Sequence, residues 1–149
     1  MNLDQFEQVL NLAKEKEEQA LVQLRNARIY LQQNEQQMSS LTFYKDDYIK
    51  QFSKKQQGLV SGQMHQQYHD FLMNIDRSME RQRMALKEIQ EHVEHCHRQW
   101  QVLNQKYRAI EKLIEREKKA LILREELNEQ NELDEFVNAQ YLRKKRNES

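Results

Sequence analysis

The sequence predicts an all-α fold, a two-helix antiparallel coiled-coil hairpin with a protruding C-terminal helical segment. Proline is absent, and the two glycines, Gly58 and Gly62, lie close together. Because proline and glycine oppose helix formation most strongly, the chain can be helical almost throughout, with one break. Charged residues make up 32% of the chain, a composition typical of coiled coils. Apolar residues also recur with a 3.5-residue period on both sides of the break.

The first helix is predicted at about residues 3–57 from a continuous coiled-coil seam. The seam consists of Leu3, Phe6, Leu10, Ala13, Glu17, Ala20, Leu24, Ala27, Leu31, Asn34, Met38, Leu41, Lys45, Tyr48 and Phe52. Among these positions only Glu17, Asn34 and Lys45 are polar. We expect Asn34 to fix the register of the helix pair, Lys45 to extend its ammonium group into water, and Glu17 to weaken the seam.

A short hinge is predicted at about residues 58–62. Gly58 suits the left-handed position that follows many helix C-termini, and Ser61 can cap the next helix. A connection this short makes the two helices antiparallel neighbours.

The second helix is predicted at about residues 63–140, followed by a basic tail at 141–149. Its seam consists of Tyr68, Leu72, Ile75, Met79, Gln82, Leu86, Ile89, Val93, Cys96, Trp100, Leu103, Tyr107, Ile110 and Ile114, with Gln82 as the one polar member. A turn near residue 60 pairs positions whose numbers sum to about 120, so that Phe6 faces Ile114. The second seam stops being apolar where the first helix ends, which supports the hairpin, and the length fits a single domain over residues 1–149.

Residues 120–149 are left without a partner in this arrangement, although many of their side chains are apolar. These are Leu121, Ile122, Leu123, Leu127, Leu133, Phe136, Val137 and Tyr141. An amphipathic helix with this much apolar surface usually binds another protein. The alternative interpretation is a frayed, solvated end.

The composition argues against several functional classes. Lys+Arg 24 balances Asp+Glu 24, whereas a general nucleic-acid binder needs an excess of cations. The single cysteine, Cys96, excludes an internal disulfide and suits a reducing cytosol. The longest apolar run, residues 120–123, is far too short to span a membrane, and the acidic first turns are unlike a signal peptide. The basic run at 143–146 could contact nucleic acid or anionic lipid, but a solubilising helix end is the preferred interpretation.

No catalytic motif is present, so a non-enzymatic protein without a cofactor is expected. The main metal-site candidates are His92, His95, Cys96 and His97, and the pair His65 and His69, four residues apart beside the hinge, is no stronger. Cys96 belongs to the seam, where Leu24 should face it, and Leu24 is not a zinc ligand. We therefore expect a core cysteine beside surface histidines, and no bound metal.

Two rows of side chains border the seam near the hinge. One row consists of Gln37, Leu41, Tyr44 and Tyr48, and the other of Phe71, Ile75, Ser78 and Gln82. Aromatic side chains with few charges around them are typical of a protein-binding hot spot. The alternative is that these aromatic residues only cover the seam.

At these residues the chain resembles the flagellar type III export protein FliJ family over nearly its whole length. The resemblance rests on the size, the glycine-bearing break, residues 41–48 (LTFYKDDY) and residues 68–82 (YHDFLMNIDRSMERQ). It continues with Trp100 before a basic helical run, and with residues 133–136 (LDEF) before the basic tail.

The resemblance implies a coiled-coil stalk, similar to the stalk of rotary ATPases, that inserts the end carrying both termini into a hexameric export ATPase. It further implies contact with the cytoplasmic domain of the export-gate membrane protein and escort of export chaperones. The implied gate-binding residues are Gln37, Leu41, Tyr44, Tyr48, Phe71, Ile75, Ser78 and Gln82. At two of them, Ser78 and Gln82, the family usually has alanine and histidine. The implied ATPase-binding residues are Leu3, Phe6, Leu10, Leu121, Leu133 and Phe136.

These expectations place the protein in the cytoplasm, associated with the inner face of the cell membrane through its partners, without nucleic-acid binding or direct membrane insertion. Two alternatives stay open from the sequence. One is the equivalent stalk of a virulence-type secretion system, and the other is a generic coiled-coil adaptor, including one whose basic tail binds DNA or a membrane surface.

Overall fold

A computed structural model of the chain describes residues 2–55, 58 and 61–148 and contains two helices, α1 (Leu3–Lys55) and α2 (Gly62–Glu148). No strand occurs in these described residues. The predicted all-α helical hairpin is therefore confirmed. Of the predicted boundaries, residues 56–57 of the first helix, 59–60 of the hinge and 149 of the tail lie outside the described part of the chain.

Both helix starts are capped by side chains. The Gln5 N–H donates to Asn2 Oδ1 at 2.9 Å, and the Asn2 N–H donates to Gln5 Oε1 at 3.2 Å. This reciprocal capping box satisfies two backbone donors that a helix N-terminus leaves without a partner. At α2, the Met64 N–H donates to Ser61 Oγ at 3.2 Å, so the predicted cap at Ser61 is confirmed.

The predicted left-handed conformation at Gly58 is wrong. No glycine among the described residues has a positive φ. The Gly58 N–H instead donates to the Lys55 carbonyl at 3.1 Å. A Cβ at Gly58 would have an ordinary 3.6 Å contact with that carbonyl.

The predicted basic tail at 141–149 also needs correction, because α2 continues to Glu148. No proline or glycine follows Gly62, so no residue in this stretch strongly opposes the helical conformation. Basic side chains at Lys145 and Arg146 also suit the negative end of a helix dipole.

The described residues group into two compact units, Glu17–Val102 and Met1–Lys16 with Leu103–Ser149. Within Glu17–Val102 the helices pack antiparallel, since Leu24 and Ala27 of α1 form a buried cluster with Cys96 of α2. Val93 and Trp100 pack against this cluster. The predicted pairing of Leu24 with Cys96 is thus confirmed.

The second unit pairs the start of α1 with a later part of α2. Glu7 and Lys118 form an ion pair at 3.9 Å, and Ile114 is buried. Every side chain of the two predicted seams, in both units, is buried or half-buried. The 3.5-residue period therefore identified the core correctly. The prediction that residues 1–149 form one domain stays a prediction.

Candidate functional site

The eight residues implied to bind the export gate lie in the unit Glu17–Val102, four on each helix, and we call them the aromatic surface. Their spacing of three and four residues brings each row onto one side of its helix. Tyr44 is 56% exposed and therefore available to a partner, while Leu41, Tyr48 and Phe71 are half-buried. Ile75 is only 5% exposed and supports the surface from the core.

Aromatic rings of the two helices contact one another in a continuous series. The Phe71 ring lies edge-on to Tyr44, at 5.5 Å between ring centroids, and against Tyr48 at 3.8 Å. Tyr48 also stacks on Tyr68 at 5.8 Å, and Tyr68 stacks on Phe52 at 3.8 Å. Because these contacts hold the rings in place, a partner that binds them loses little side-chain entropy.

The seam pattern does not reveal all of this series. It places Tyr68 and Phe52 in the seam alone, and it suggests His65, which lies edge-on to Phe52 at 5.5 Å, only as a weak metal-ligand candidate. The antiparallel pairing of residues near the hinge was the signal that could have found them. Phe43, 73% exposed next to Tyr44 in the chain, lies on another side of α1 and is outside the aromatic surface.

A shallow groove of about 790 Å³ adjoins Tyr44. Its lining is uncharged and rich in amides. The lining residues are Gln33, Gln36, Gln37, Ser40, Leu41, Tyr44 and Gln82. A partner in this groove would make apolar contacts and neutral hydrogen bonds, because none of the lining side chains is charged.

Gln82, which lines this groove, contacts the polar seam residue Asn34 of the other helix. Gln82 Nε2 donates to Asn34 Oδ1 at 3.0 Å and to the Asn34 carbonyl at 3.1 Å. Asn34 Nδ2 in turn donates to the Tyr30 carbonyl at 2.8 Å. Since Asn34 is buried, these bonds favour the one register in which both amides are satisfied. The amide nitrogen of Gln82 thus already has partners within the helix pair.

Two expectations about polar seam residues need correction. Glu17 is not a simple weak point, because its Oε1 accepts a hydrogen bond from Trp100 Nε1 at 2.9 Å. Lys45 does not merely extend into water, because its Nζ lies 2.6 Å from Asp76 Oδ1. In each case a side chain of α2 supplies a partner that the pattern of α1 alone could not reveal.

The residues implied to bind the ATPase lie in the other unit and do not form one patch. Leu3, Phe6 and Leu10 are half-buried seam residues of α1. Leu121, Leu133 and Phe136 are exposed on α2, and a helix rise of 1.5 Å per residue spaces Leu121 and Phe136 about 22 Å apart. The structure therefore separates a partly covered group from an open one.

The open group belongs to a longer exposed stretch, residues 121–148 of α2, which we call the exposed segment. Every residue of this segment is exposed. Its large apolar side chains include Ile122, Leu123, Leu127, Val137, Tyr141 and Leu142 in addition to the implied ATPase-binding residues. The prediction that the end of the second helix presents uncovered apolar side chains is confirmed.

A second, smaller groove of about 180 Å³ lies in the same unit and was not anticipated. Apolar side chains and two lysines line it. The lining residues are Val9, Leu12, Ala13, Lys16, Leu103, Lys106 and Ile110. Val9 and Leu12 occupy positions outside the seam, which is why the seam pattern did not include them.

Cys96 is a core residue, as its seam position predicted. It is 4% exposed within the Leu24 cluster, and His92 Nε2 lies 3.6 Å from its sulfur. Across the residues that the structure describes, no group of three or more His, Cys, Asp or Glu side chains could hold a metal ion.

In the described parts of α1 and α2, no stretch is long and apolar enough to cross a bilayer.

Comparison with known proteins points to one family. The family model for the flagellar FliJ protein matches residues 1–146. A flagellar FliJ protein from Salmonella typhi is 24% identical over 139 residues, covering 93% of this chain and 95% of the relative. The flagellar FliJ protein from Escherichia coli (strain K12) is 25% identical over 134 residues, covering 90% and 91%. The family model covers nearly the whole length of this two-helix chain. The chain therefore belongs to the flagellar FliJ family.

Proposed function

We propose that this protein is a non-enzymatic stalk of the flagellar protein export apparatus. In this role it binds a hexameric export ATPase, contacts the cytoplasmic domain of the export-gate membrane protein and escorts export chaperones. Family membership supports a flagellar export component. It also favours the flagellar role over the virulence-type alternative, because both relatives carry the flagellar name.

The observation that carries the ATPase part of the proposal is the exposed segment. An isolated helix in water gains little from apolar side chains that remain hydrated. Leu133 and Phe136 are each more than half exposed, one turn apart on the same face. Such a spacing of apolar anchors is how an amphipathic helix docks into a groove or ring of another protein.

The aromatic surface supports a second docking site, for the export gate. Its rings are held by mutual contact, and an uncharged groove adjoins them. Rigid aromatic anchors beside a neutral groove have the composition of a binding hot spot. Through these two partners the protein would be held in the cytoplasm, at the inner face of the membrane.

The ATPase part is tested with the purified full-length chain and the purified export ATPase. Alone, the chain should hydrolyse no ATP, and added to the ATPase it should increase the hydrolysis rate. The double variant Leu133→Glu/Phe136→Glu should weaken binding by about tenfold or more, because it places charge in an apolar contact. A matched control is Asn128→Glu/Asn131→Glu, which adds the same charge to other directions of the same helix.

If the Leu133/Phe136 variant binds and stimulates the ATPase as well as the control does, the exposed segment is not the docking site. Full swimming motility in a strain that lacks the gene would overturn the flagellar role itself.

The gate part is tested with Tyr44→Ala and Phe71→Ala in binding to the isolated cytoplasmic domain of the gate protein. Both variants should weaken binding while helicity, measured by circular dichroism, stays nearly intact. Phe43→Ala is the matched control, since Phe43 is more exposed than Tyr44 and points about 100° away on α1. If Phe71→Ala melts the protein and spares binding, the aromatic residues serve the core alone.

A further inference from the structure

The exposed segment has an unequal distribution of charge along its length. Every ionisable side chain from Glu125 to Glu135 is acidic, and every one from Arg143 to Arg146 is basic. All of these side chains are exposed. The helix therefore carries a negative block and a positive block on a single continuous element.

Apolar side chains lie at the end of the acidic block and between it and the basic block. Leu133, Phe136, Val137 and Tyr141 are spaced by three and four residues, which gathers them on one face of the helix. Each of them is more than half exposed. This face is long enough for a short contact between two helices. Acidic side chains lie at one end of it, and basic side chains lie at the other.

A second copy of the same helix complements this surface when it runs antiparallel. In that orientation the acidic block of each copy faces the basic block of the other, and both favourable contacts form at once. A parallel copy would instead set acid against acid and base against base, which disfavours that arrangement. We propose that residues 125–148 pair with the same residues of a second copy of this chain, antiparallel, around a two-fold axis near Val137.

The lengths of the helices are compatible with this pairing. With the axis near Val137, Leu133 of each copy lies close to Tyr141 of the other, and Glu148 lies close to Glu126 of the other. Each helix therefore ends before it reaches Ala120 of the other copy, the last residue of α2 that is partly covered. The same surface of each copy is used in this two-fold contact, so a third copy cannot join through it.

Self-association of this kind goes beyond the stalk function and does not depend on it. It would bury Leu133 and Phe136, the side chains proposed to meet the ATPase, so the dimer and the ATPase complex would exclude each other. Free protein would keep its apolar face covered until a partner displaces the second copy.

Sedimentation equilibrium of the full chain over a range of concentrations tests the pairing. We expect a reversible monomer–dimer equilibrium that weakens as salt is raised, because salt screens the exposed charges. Lys144→Glu/Lys145→Glu should weaken self-association by about tenfold or more, and so should Glu129→Lys/Glu132→Lys. Mixed together, these two variants should form a heterodimer tighter than either homodimer, because each acidic surface then meets a basic one.

A chain that remains monomeric at all concentrations, or variants that fail to associate when mixed, would overturn the proposal. The four charged positions are exposed, so circular dichroism should show unchanged helicity in both variants.

Disulfide trapping distinguishes the orientation. In a Cys96→Ser background, Val137→Cys should form a disulfide-linked dimer under mild oxidation, since the two Val137 side chains lie near the axis. Leu123→Cys, equally exposed, should not, because it lies far from its own copy in an antiparallel pair. Efficient linkage through both positions would indicate a parallel dimer and contradict the proposal.

Discussion

Two regions of α2 both carry large apolar side chains, but they differ in how far those side chains are buried. Residues 68–102 lie in the unit Glu17–Val102, where α1 covers their apolar stripe and buries Ile75, Ile89 and Cys96. Residues 121–148 are also helical and also carry large apolar side chains, yet all of them are exposed. The difference teaches that, in this protein, helix formation is a property of the chain, whereas burial depends on the presence of a second helix.

The largest expected difference between the two regions comes from truncating one leucine in each. Leu24→Ala removes a side chain that is 1% exposed within the central cluster, and it should lower the free energy of unfolding by about 3 kcal/mol. Leu127→Ala, in the exposed segment, should change it by less than about 0.5 kcal/mol. Urea denaturation followed by circular dichroism measures both. Equal losses would mean that the exposed segment is packed.

Trp100→Ala should have the next largest effect. Trp100 packs against the Leu24 cluster and donates a hydrogen bond to Glu17, but its side chain is only half-buried. We expect a loss of about 2 kcal/mol, below the range for fully buried aromatic residues. In dilute, monomeric protein, Tyr141→Ala truncates an exposed aromatic side chain of the other region, so this control should leave the urea midpoint unchanged. A loss as large for Tyr141 would contradict the comparison.

A double-mutant cycle on Asn34 and Gln82 should reveal a smaller effect on stability. Asn34→Leu alone takes one acceptor from Gln82 Nε2, and we expect a cost of about 1 kcal/mol. Adding Gln82→Leu should recover that cost, because two apolar side chains then face each other in the seam. The urea midpoints of the four proteins give the coupling. Strict additivity would show that the amides do not act as a pair.

The smallest effect is expected at the ion pair of Lys45 and Asp76. The Asp76 side chain is 55% exposed, so water and salt screen the pair. Lys45→Met should change the unfolding free energy by less than about 1 kcal/mol, and raising the salt concentration should remove most of the difference. A larger, salt-independent loss would place Lys45 in the core.

Much of the core could be predicted from the sequence because burial in a coiled coil follows a single period. The seam from Leu3 to Phe52 and its counterpart from Tyr68 to Ile114 are buried or half-buried at every position. The cap at Ser61 could also be predicted, because a serine hydroxyl just before a helix commonly accepts a hydrogen bond from a backbone N–H of the first turn.

Contacts between the helices could be predicted less well. The Gln82–Asn34 and Trp100–Glu17 hydrogen bonds depend on the register of α2 against α1 to within a residue or two. A turn position estimated from glycine spacing does not reach that accuracy. Gly58 was misjudged because glycine permits a left-handed conformation without requiring it.

The two candidate sites also differ in how far the sequence alone predicts them. The exposure of Leu133 and Phe136 follows from helix lengths alone, so the sequence predicted it correctly. The ring series from Tyr44 to Phe52 depends on which side chains of α2 lie opposite, and only part of it was foreseen. The binding partners of both surfaces stay proposals.

Hydrogen exchange of backbone amides tests the contrast between covered and uncovered helix most directly. In dilute full-length protein, amides of residues 121–148 should exchange orders of magnitude faster than those of the buried positions near Leu24 and Cys96, because an uncovered helix opens locally at little cost. Addition of the export ATPase should slow exchange in residues 121–148. Equal protection of both regions in the dilute free chain would contradict the account.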